Sequence, residues 1–254
     1  MKKLILSFCF STIFMQITYA QFAMRIGYNY ANPMGMMAVN IQQGHGIGFD
    51  LSYRLPKMPL RIGFEMALNV YGSQRQDLNY VFQDGSQVET HVEITNNFAN
   101  FNLLVEYDLL PNSPISPYIS LKAGYSPYWT KLFIADPNDT DACRPIENTN
   151  LARDGAFTRS IGVGLRTDLA IFSKKMPKEF LYLDINCHYT VGGNVSYMSI
   201  DAPTSRNIQY ADEVVANFQN PNNLVVHQHH VGYLYNSPIE MLNVNATLGV
   251  MFGW

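Results

Sequence analysis

Residues 60–71 read LRIGFEMALNVY. The even positions are Leu60, Ile62, Phe64, Met66, Leu68 and Val70, and the odd ones are Arg61, Gly63, Glu65, Ala67, Asn69 and Tyr71. Strict alternation puts successive side chains on opposite faces of a β-strand, one greasy and one polar or small. At twelve residues the run is about twice the usual strand length. The same two-residue period extends in both directions. Ile47, Phe49, Leu51, Tyr53 and Leu55 oppose Gly48, Asp50, Ser52 and Arg54. Phe101, Leu103, Val105, Tyr107 and Leu109 oppose Asn102, Glu106 and Asp108, with Leu104 the exception. Further runs start at Ile119, Ile161, Leu181 and Leu242, and Phe22–Tyr30 precedes them all, which predicts eight strands.

The chain has 254 residues, 47% hydrophobic and 15% charged, with a mean hydropathy of −0.07. It is too polar for a helical membrane protein and too poorly charged for a disordered chain. A net charge of −3 gives no electrostatic footprint for nucleic acid. Lys2 and Lys3 precede an apolar run, Leu4–Ile17, that ends in Thr18-Tyr19-Ala20. This is the pattern of a cleaved secretory signal peptide over residues 1–20. The remainder, 21–254, is expected to be one domain. Later windows hold no 18-residue apolar run, so no transmembrane helix is expected. Cys143 falls in a loop and Cys187 on an outward strand face, and they read as two thiols rather than a disulfide framework.

Connectors alternate in length. Segments 56–59, 110–116 and 173–178 are short, whereas 31–45, 72–97, 130–156 and 192–240 are long and polar. Asp84-Gly85 reads as a type I′ hairpin within the second long segment. One-sided loop length predicts an antiparallel up-and-down transmembrane β-barrel with short periplasmic turns and long external loops. Val225–Tyr235 could form another strand. It is placed in the last external loop because bacterial single-chain barrels are even-numbered, with ten strands as the fallback.

Three features turn the greasy face toward lipid. Aromatics on that face gather near the strand ends: Phe22, Tyr53, Tyr107 and Trp254 at the turns, and Tyr28, Tyr30, Trp129 and Tyr189 toward the loops. The chain stops on Trp254 after Leu248, Val250 and Phe252, the pattern of a C-terminal insertion signal. The opposite face carries Arg25, Arg54, Arg61, Lys122 and Arg166 against Asp50, Glu65, Glu106, Asp108, Asp168 and Asp184, with His188 near the external rim. Such a set must pair inside a narrow lumen, because unpaired buried charge is costly. Glycines among these long side chains suit a filled, plugged interior. The alternative, a soluble periplasmic barrel binding a ligand, would turn the apolar face inward.

With these residues in place, the chain resembles the small outer-membrane β-barrel proteins of Bacteroidota, built like the OmpA membrane domain. Residues 25–30 (RIGYNY), 46–54 (GIGFDLSYR), 116–125 (SPYISLKAGY), 160–166 (SIGVGLR) and 248–252 (LGVMF) carry the likeness. It implies residence in the outer membrane of a Gram-negative bacterium, with lipid and the insertion machinery as partners. It is a likeness of barrel grammar, carries no motif for a chemistry, and implies no cofactor. The peptidoglycan-binding domain of longer relatives is not expected.

Few residues point to chemistry. His227 and His229 share a face in an extended segment and could bind a metal with Asp212 or Glu213, although a polar loop packing on the rim is the simpler explanation and no metal is expected. Asp136, Asp139 and Asp141 lack the EF-hand pattern. A lipid hydrolase would need His188 oriented by Asp184 and set beside a serine such as Ser160 or Ser196. The expected role is therefore non-enzymatic, a surface, structural or recognition function through the long segments, with a narrow solute channel as a further alternative.

Overall fold

The computed structural model describes residues 21–81, 87–111, 113–135, 147–172, 177, 180–204, 206–219 and 226–252. For 77–81, 87–90, 147, 216–219 and 226–229 it describes the backbone alone. The strands among them are β1 (Gln21–Pro33), β2 (Gly44–Arg54), β3 (Leu60–Val81), β4 (Gln87–Asp108), β5 (Ile115–Ile134), β6 (Glu147–Asp168), β7 (Leu181–Ser199), β8 (Asp212–Gln219) and β9 (Val226–Phe252). A one-turn helix, α1 (Met37–Asn40), lies between β1 and β2.

Neighbours in sequence pair antiparallel from β1 to β7, β7 pairs β9, and β9 returns to β1 through Phe22↔Phe252 to Pro33↔Met241. The result is a closed barrel of eight strands. Closure leaves the barrel without a free sheet edge. β8 pairs only with β9, on the side that β1 vacates above Pro33. Val225–Tyr235, expected in a loop, therefore belongs mostly to β9, a single strand that runs on to Phe252 without adding to the barrel count. Leu169, expected at a strand end, instead opens a short 3-10 turn, Leu169–Phe172.

The long segments also differ from the irregular loops expected. Within the described residues they are mostly strand. β3 and β4 continue as a ladder to Val81↔Gln87, and β5 and β6 to Ile134↔Glu147. The turn around Asp84-Gly85 lies outside the described residues, as do 1–20, Cys143, Trp254 and Asp136, Asp139 and Asp141.

Two breaks change the architecture above the barrel. β1 stops at Pro33 and β2 starts at Gly44, so the upper wall lacks both. Pairing of β6 with β7 ends at Thr158↔Gly192, and β7 slips register between Val191 and Asn194. The eight-stranded cylinder therefore opens into two sheets, β3-β4-β5-β6 and β7-β9-β8, facing each other. Between them lies an apolar core: Val92, Ile94, Leu132 and Ile134 on one side, Met198 and Val231 on the other. Just below, Tyr71, Phe98 and Tyr128 meet Tyr197 and Tyr235, with Phe98 stacked on Tyr128 at 5.2 Å and Tyr197 tilted against Tyr128 at 6.2 Å. Met37 of α1 and Ile41 after it close this layer. Burial raises the Tyr71, Tyr128 and Tyr197 hydroxyls above their ordinary range, so the rings stay neutral.

Asn207 ties the last long connection down, donating to the Val39 carbonyl and to Asn40 Oδ1, each at 3.1 Å. Asn40 in turn donates to Tyr197 Oη at 2.8 Å. The crown is thus a small sandwich with its own core and a polar latch.

Candidate functional site

The barrel wall is inside out relative to a soluble protein. Ile26, Ile47, Leu103, Leu121, Ile161, Val163 and Leu248 stand exposed on its outer surface, spread over β1, β2, β4, β5, β6 and β9. A continuous apolar belt of this kind needs an apolar surround. Phe22, Tyr107 and Phe252 lie exposed at the turn end, and Tyr28, Tyr125, Phe157 and Tyr189 toward the crown. Leu248 and Phe252 project outward from β9 and Val250 is half-buried. No described helix is long and apolar enough to cross a membrane.

Inside, the alternation places charge. Arg25 reaches three carboxylates: Asp50 through Nε at 2.7 Å, Glu106 at 2.5 Å and Asp184 at 3.0 Å. Arg166 bonds Asp108 at 2.7 Å and Glu106 at 2.6 Å, and approaches Asp184 at 3.6 Å. Arg61 completes the set with Nε 3.4 Å from Asp108. All seven side chains are buried. Asp184, wholly enclosed, also accepts from Tyr118 Oη and Asn186 Nδ2, both at 2.8 Å. Arg166 lies over the Tyr118 ring at 4.7 Å and the Tyr182 ring at 5.5 Å, which supports the guanidinium where water cannot. Lys122 pairs with Glu65, to which Asn102 also donates at 3.2 Å. Arg54 and Asp168, half-buried at the turn end, line one cavity with Arg61, Asp108 and Arg166, and Asp168 accepts from the Ala170 N–H at 2.9 Å.

Glycines make the fit possible. A Cβ on Gly164 would run into the Tyr118 ring, one on Gly249 into Tyr182 and one on Gly162 into His188. Each large lumen ring therefore lies across a bare backbone on the neighbouring strand. Above the charges comes an amide layer, in which Asn245 donates to Asn186 at 2.7 Å and Asn243 to Thr190 at 2.8 Å. Charges, amides and the aromatic floor of the crown follow one another up the axis, so the lumen is filled rather than open.

His188 does not sit near a rim. β7 runs eleven residues beyond it, and its ring is buried at mid-barrel against Ser120. Asp184 is committed to Arg25, Tyr118 and Asn186. Ser160 bonds Thr190 at 2.8 Å, and Ser196 accepts from Asn236 at 2.9 Å. The triple required of a hydrolase is not assembled, and a lipid carbonyl has no route to Ser120. Leu104, the exception in the alternation, keeps its parity and faces inward at 1% exposure. His227 and His229 pair in register with Phe218 and Ala216, and their side chains lie outside the described atoms. It is the neighbouring His230 whose Nδ1 meets Glu213 at 3.0 Å. No cluster of metal-ligating side chains occurs among the described residues. Cys187 is a free thiol.

Asp154 had no signal in the sequence. Where the β6–β7 ladder stops, its carboxylate reaches across the gap and accepts the backbone N–H of Ser196 at 2.7 Å, together with that of Gly155 at 2.7 Å. Partial burial pushes this carboxyl up, but the two backbone donors outweigh it and hold it below its ordinary range.

No protein-family model matches the sequence, and no curated protein is similar to it. Among solved structures, the chain is similar to a major outer membrane protein from Thermus thermophilus (12% identity, 92% of this chain and 99% of that one, TM-score 0.49). It is similar to Neisserial surface protein A (10%, 92% and 97%, 0.40) and to OprG from Pseudomonas aeruginosa (9%, 93% and 98%, 0.41). The closed eight-stranded antiparallel barrel stands on the strand pairing described above.

Proposed function

We propose that this is a non-enzymatic barrel protein of a Gram-negative outer membrane, shut along its axis, whose working surface is the two-sheet crown outside the cell. The observation that carries the reading is the inverted wall: an apolar belt outside, and a lumen of mutually paired charges inside. A soluble ligand-binding barrel has the reverse polarity. A solute channel would need a path that the charge, amide and aromatic layers occupy. On this reading residues 1–20 direct export, and Leu248, Val250, Phe252 and Trp254 are the segment recognised by the insertion machinery. The barrel belongs with the small Bacteroidota barrels that its sequence resembles. The crown serves recognition or envelope contact: it is latched by Asn207 and shows Ile208, Tyr210 and Val215 to solvent.

Accessibility in whole cells tests the placement. In a Cys143→Ser, Cys187→Ser background, Arg206→Cys in the crown should react with a membrane-impermeant maleimide. Lys57→Cys, in the first tight turn, should react only after the outer membrane is opened. Labelling of both positions, or of neither, in intact cells would sink the proposal.

A further inference from the structure

The belt contains one residue that lipid alone does not explain. Outward positions on β6 run Leu165, Val163, Ile161, Arg159 and Phe157 from the turn end upward, and Arg159 is exposed among them. It has no hydrogen-bond or ion-pair partner among the described residues, and neither does Arg153 higher on the same face. No outward position is acidic along Ile115–Phe133 of β5, Arg153–Thr167 of β6 or Leu183–Val191 of β7, so the wall offers Arg159 no counter-charge. A lipid-facing cation is expensive at the bilayer centre and tolerated near the interfaces, where headgroup phosphates are the available anions.

A second observation lies beside it. Arg159 is the last outward residue before the β6–β7 ladder ends at Thr158↔Gly192. The slip in β7 leaves a depression in the outer wall lined by Phe157, Arg159, Val191, Gly192 and Gly193. Its apolar side is Phe157, 80% exposed and held edge-on by Tyr125 at 5.5 Å. A guanidinium matches a phosphate bidentately, and the two glycines, on the crown side of Arg159, leave room for the headgroup that carries it.

We propose that this notch binds a phosphate-bearing lipid of the leaflet nearest the crown, with the phosphate on Arg159, its headgroup against Gly192–Gly193 and Phe157, and the acyl chain running away from the crown over Ile161 and Tyr189. The proposal rests on the membrane reading above, but its test in detergent does not depend on which membrane the protein occupies.

Purified full-length barrel in a non-ionic detergent is mixed with bisphosphorylated lipid A or with its dephosphorylated form, and bound lipid is counted by native mass spectrometry. Wild type should retain the phosphorylated form selectively. Arg159→Gln should weaken retention on the order of tenfold or more, as expected for loss of charge-assisted hydrogen bonds. Gly193→Ala should also weaken it without changing charge. The fold has room for that change, because a Cβ at Gly193 meets only Ala156 Cβ at an ordinary 3.5 Å. Arg206→Gln, in the crown, should change nothing, and thermal unfolding of each variant confirms an intact barrel. Equal retention of both lipids, or retention untouched by Arg159→Gln, would overturn the site. Displacement by inorganic phosphate as readily as by lipid would overturn its assignment to a lipid.

Discussion

Replacing Arg25 by methionine tests what holds the lumen together. The charge cluster contains three guanidiniums, of Arg25, Arg61 and Arg166, against four carboxylates, of Asp50, Glu106, Asp108 and Asp184. Arg25→Met leaves two against four, with the apolar volume nearly unchanged. The loss does not fall evenly. Glu106 keeps Arg166 at 2.6 Å, and Asp184 keeps Tyr118 and Asn186 at 2.8 Å. Among the described residues Asp50 is bonded by Arg25 alone, through Nε at 2.7 Å to each oxygen. Removing one partner of a buried pair costs about 3–5 kcal/mol, most of it the stranded charge. Arg25→Met should therefore lose about 4 kcal/mol by that rule. Asp50→Asn added to Arg25→Met should restore half of the loss or more, because an amide needs no counter-charge. Urea unfolding of the barrel in phospholipid vesicles, followed by tryptophan emission, gives both numbers as a double-mutant cycle. A loss below about 1 kcal/mol, the range of solvent-screened pairs, would refute the buried-cluster account. So would a double variant less stable than Arg25→Met.

Gly164→Ala should cost about 1–3 kcal/mol by forcing the Tyr118 ring off Arg166. Gly48→Ala in the same lumen should be near neutral in the same unfolding assay, since its Cβ would meet nothing nearer than 4.0 Å. Phe98→Ala removes the ring stacked on Tyr128 and should cost the crown about 3–5 kcal/mol. Limited proteolysis should then cut above the belt while the barrel itself stays protected. Asp154 is held below its ordinary range when folded, so its stabilising contribution is complete above the unfolded carboxylate range and fades as pH falls through the folded value. Hydrogen exchange at Ser196 N–H should accelerate in acid in the wild type. Asp154→Asn should weaken the seam by about 1 kcal/mol and remove that acid dependence. In planar bilayers neither wild type nor Arg25→Met should give a stable conductance step, because the crown's aromatic floor closes the axis independently of the charges.

The parity of every barrel strand was legible from period two. Arg61, Glu65, Asp50, Lys122 and Asp184 share the inner face for the same reason that Leu103 and Ile161 share the outer one. Strand length was not legible. On β4 the inward residues are even throughout, yet they are Val92, Ile94 and Phe98 above, and Asn102, Glu106 and Asp108 below. The outward apolar set, Phe101, Leu103 and Val105, is odd. A reader following hydrophobic residues meets a phase change between Phe98 and Phe101 and infers a break, although the backbone alternation never falters. The same exchange occurs on β5 between Leu121 and Leu132, and on β9 between Met241 and Leu242. Asp154 was illegible for another reason. Its partner is a backbone N–H freed by a register slip on a strand 42 residues away, and nothing in the local sequence of either segment marks that slip except Gly192-Gly193.

On the membrane reading proposed above, that phase change locates the boundary between two solvents. Where lipid surrounds the wall, apolar side chains gain nothing by facing inward, and backbone closure plus paired charge must specify the interior. Where water surrounds it, the ordinary hydrophobic term returns and apolar residues move to the inside of the same strands. The switch falls at Phe98 on β4, beside Ala31 and Tyr71, and on β6 and β7 near Thr158 and Gly192, where the ladder opens. The wall can open there because, above the boundary, a two-sheet sandwich buries its core as well as a cylinder would. Below it, an unpaired edge in lipid is forbidden. The β6–β7 seam should therefore start at the lipid–water interface and no lower. Nitroxide labels at Tyr189→Cys and Asn194→Cys, in the Cys143→Ser, Cys187→Ser background, check this by their relative accessibility to oxygen and to a water-soluble nickel complex. Position 189 should favour oxygen and position 194 the nickel complex. If both favour oxygen, the seam lies within the bilayer, and the argument linking the phase change to the interface fails.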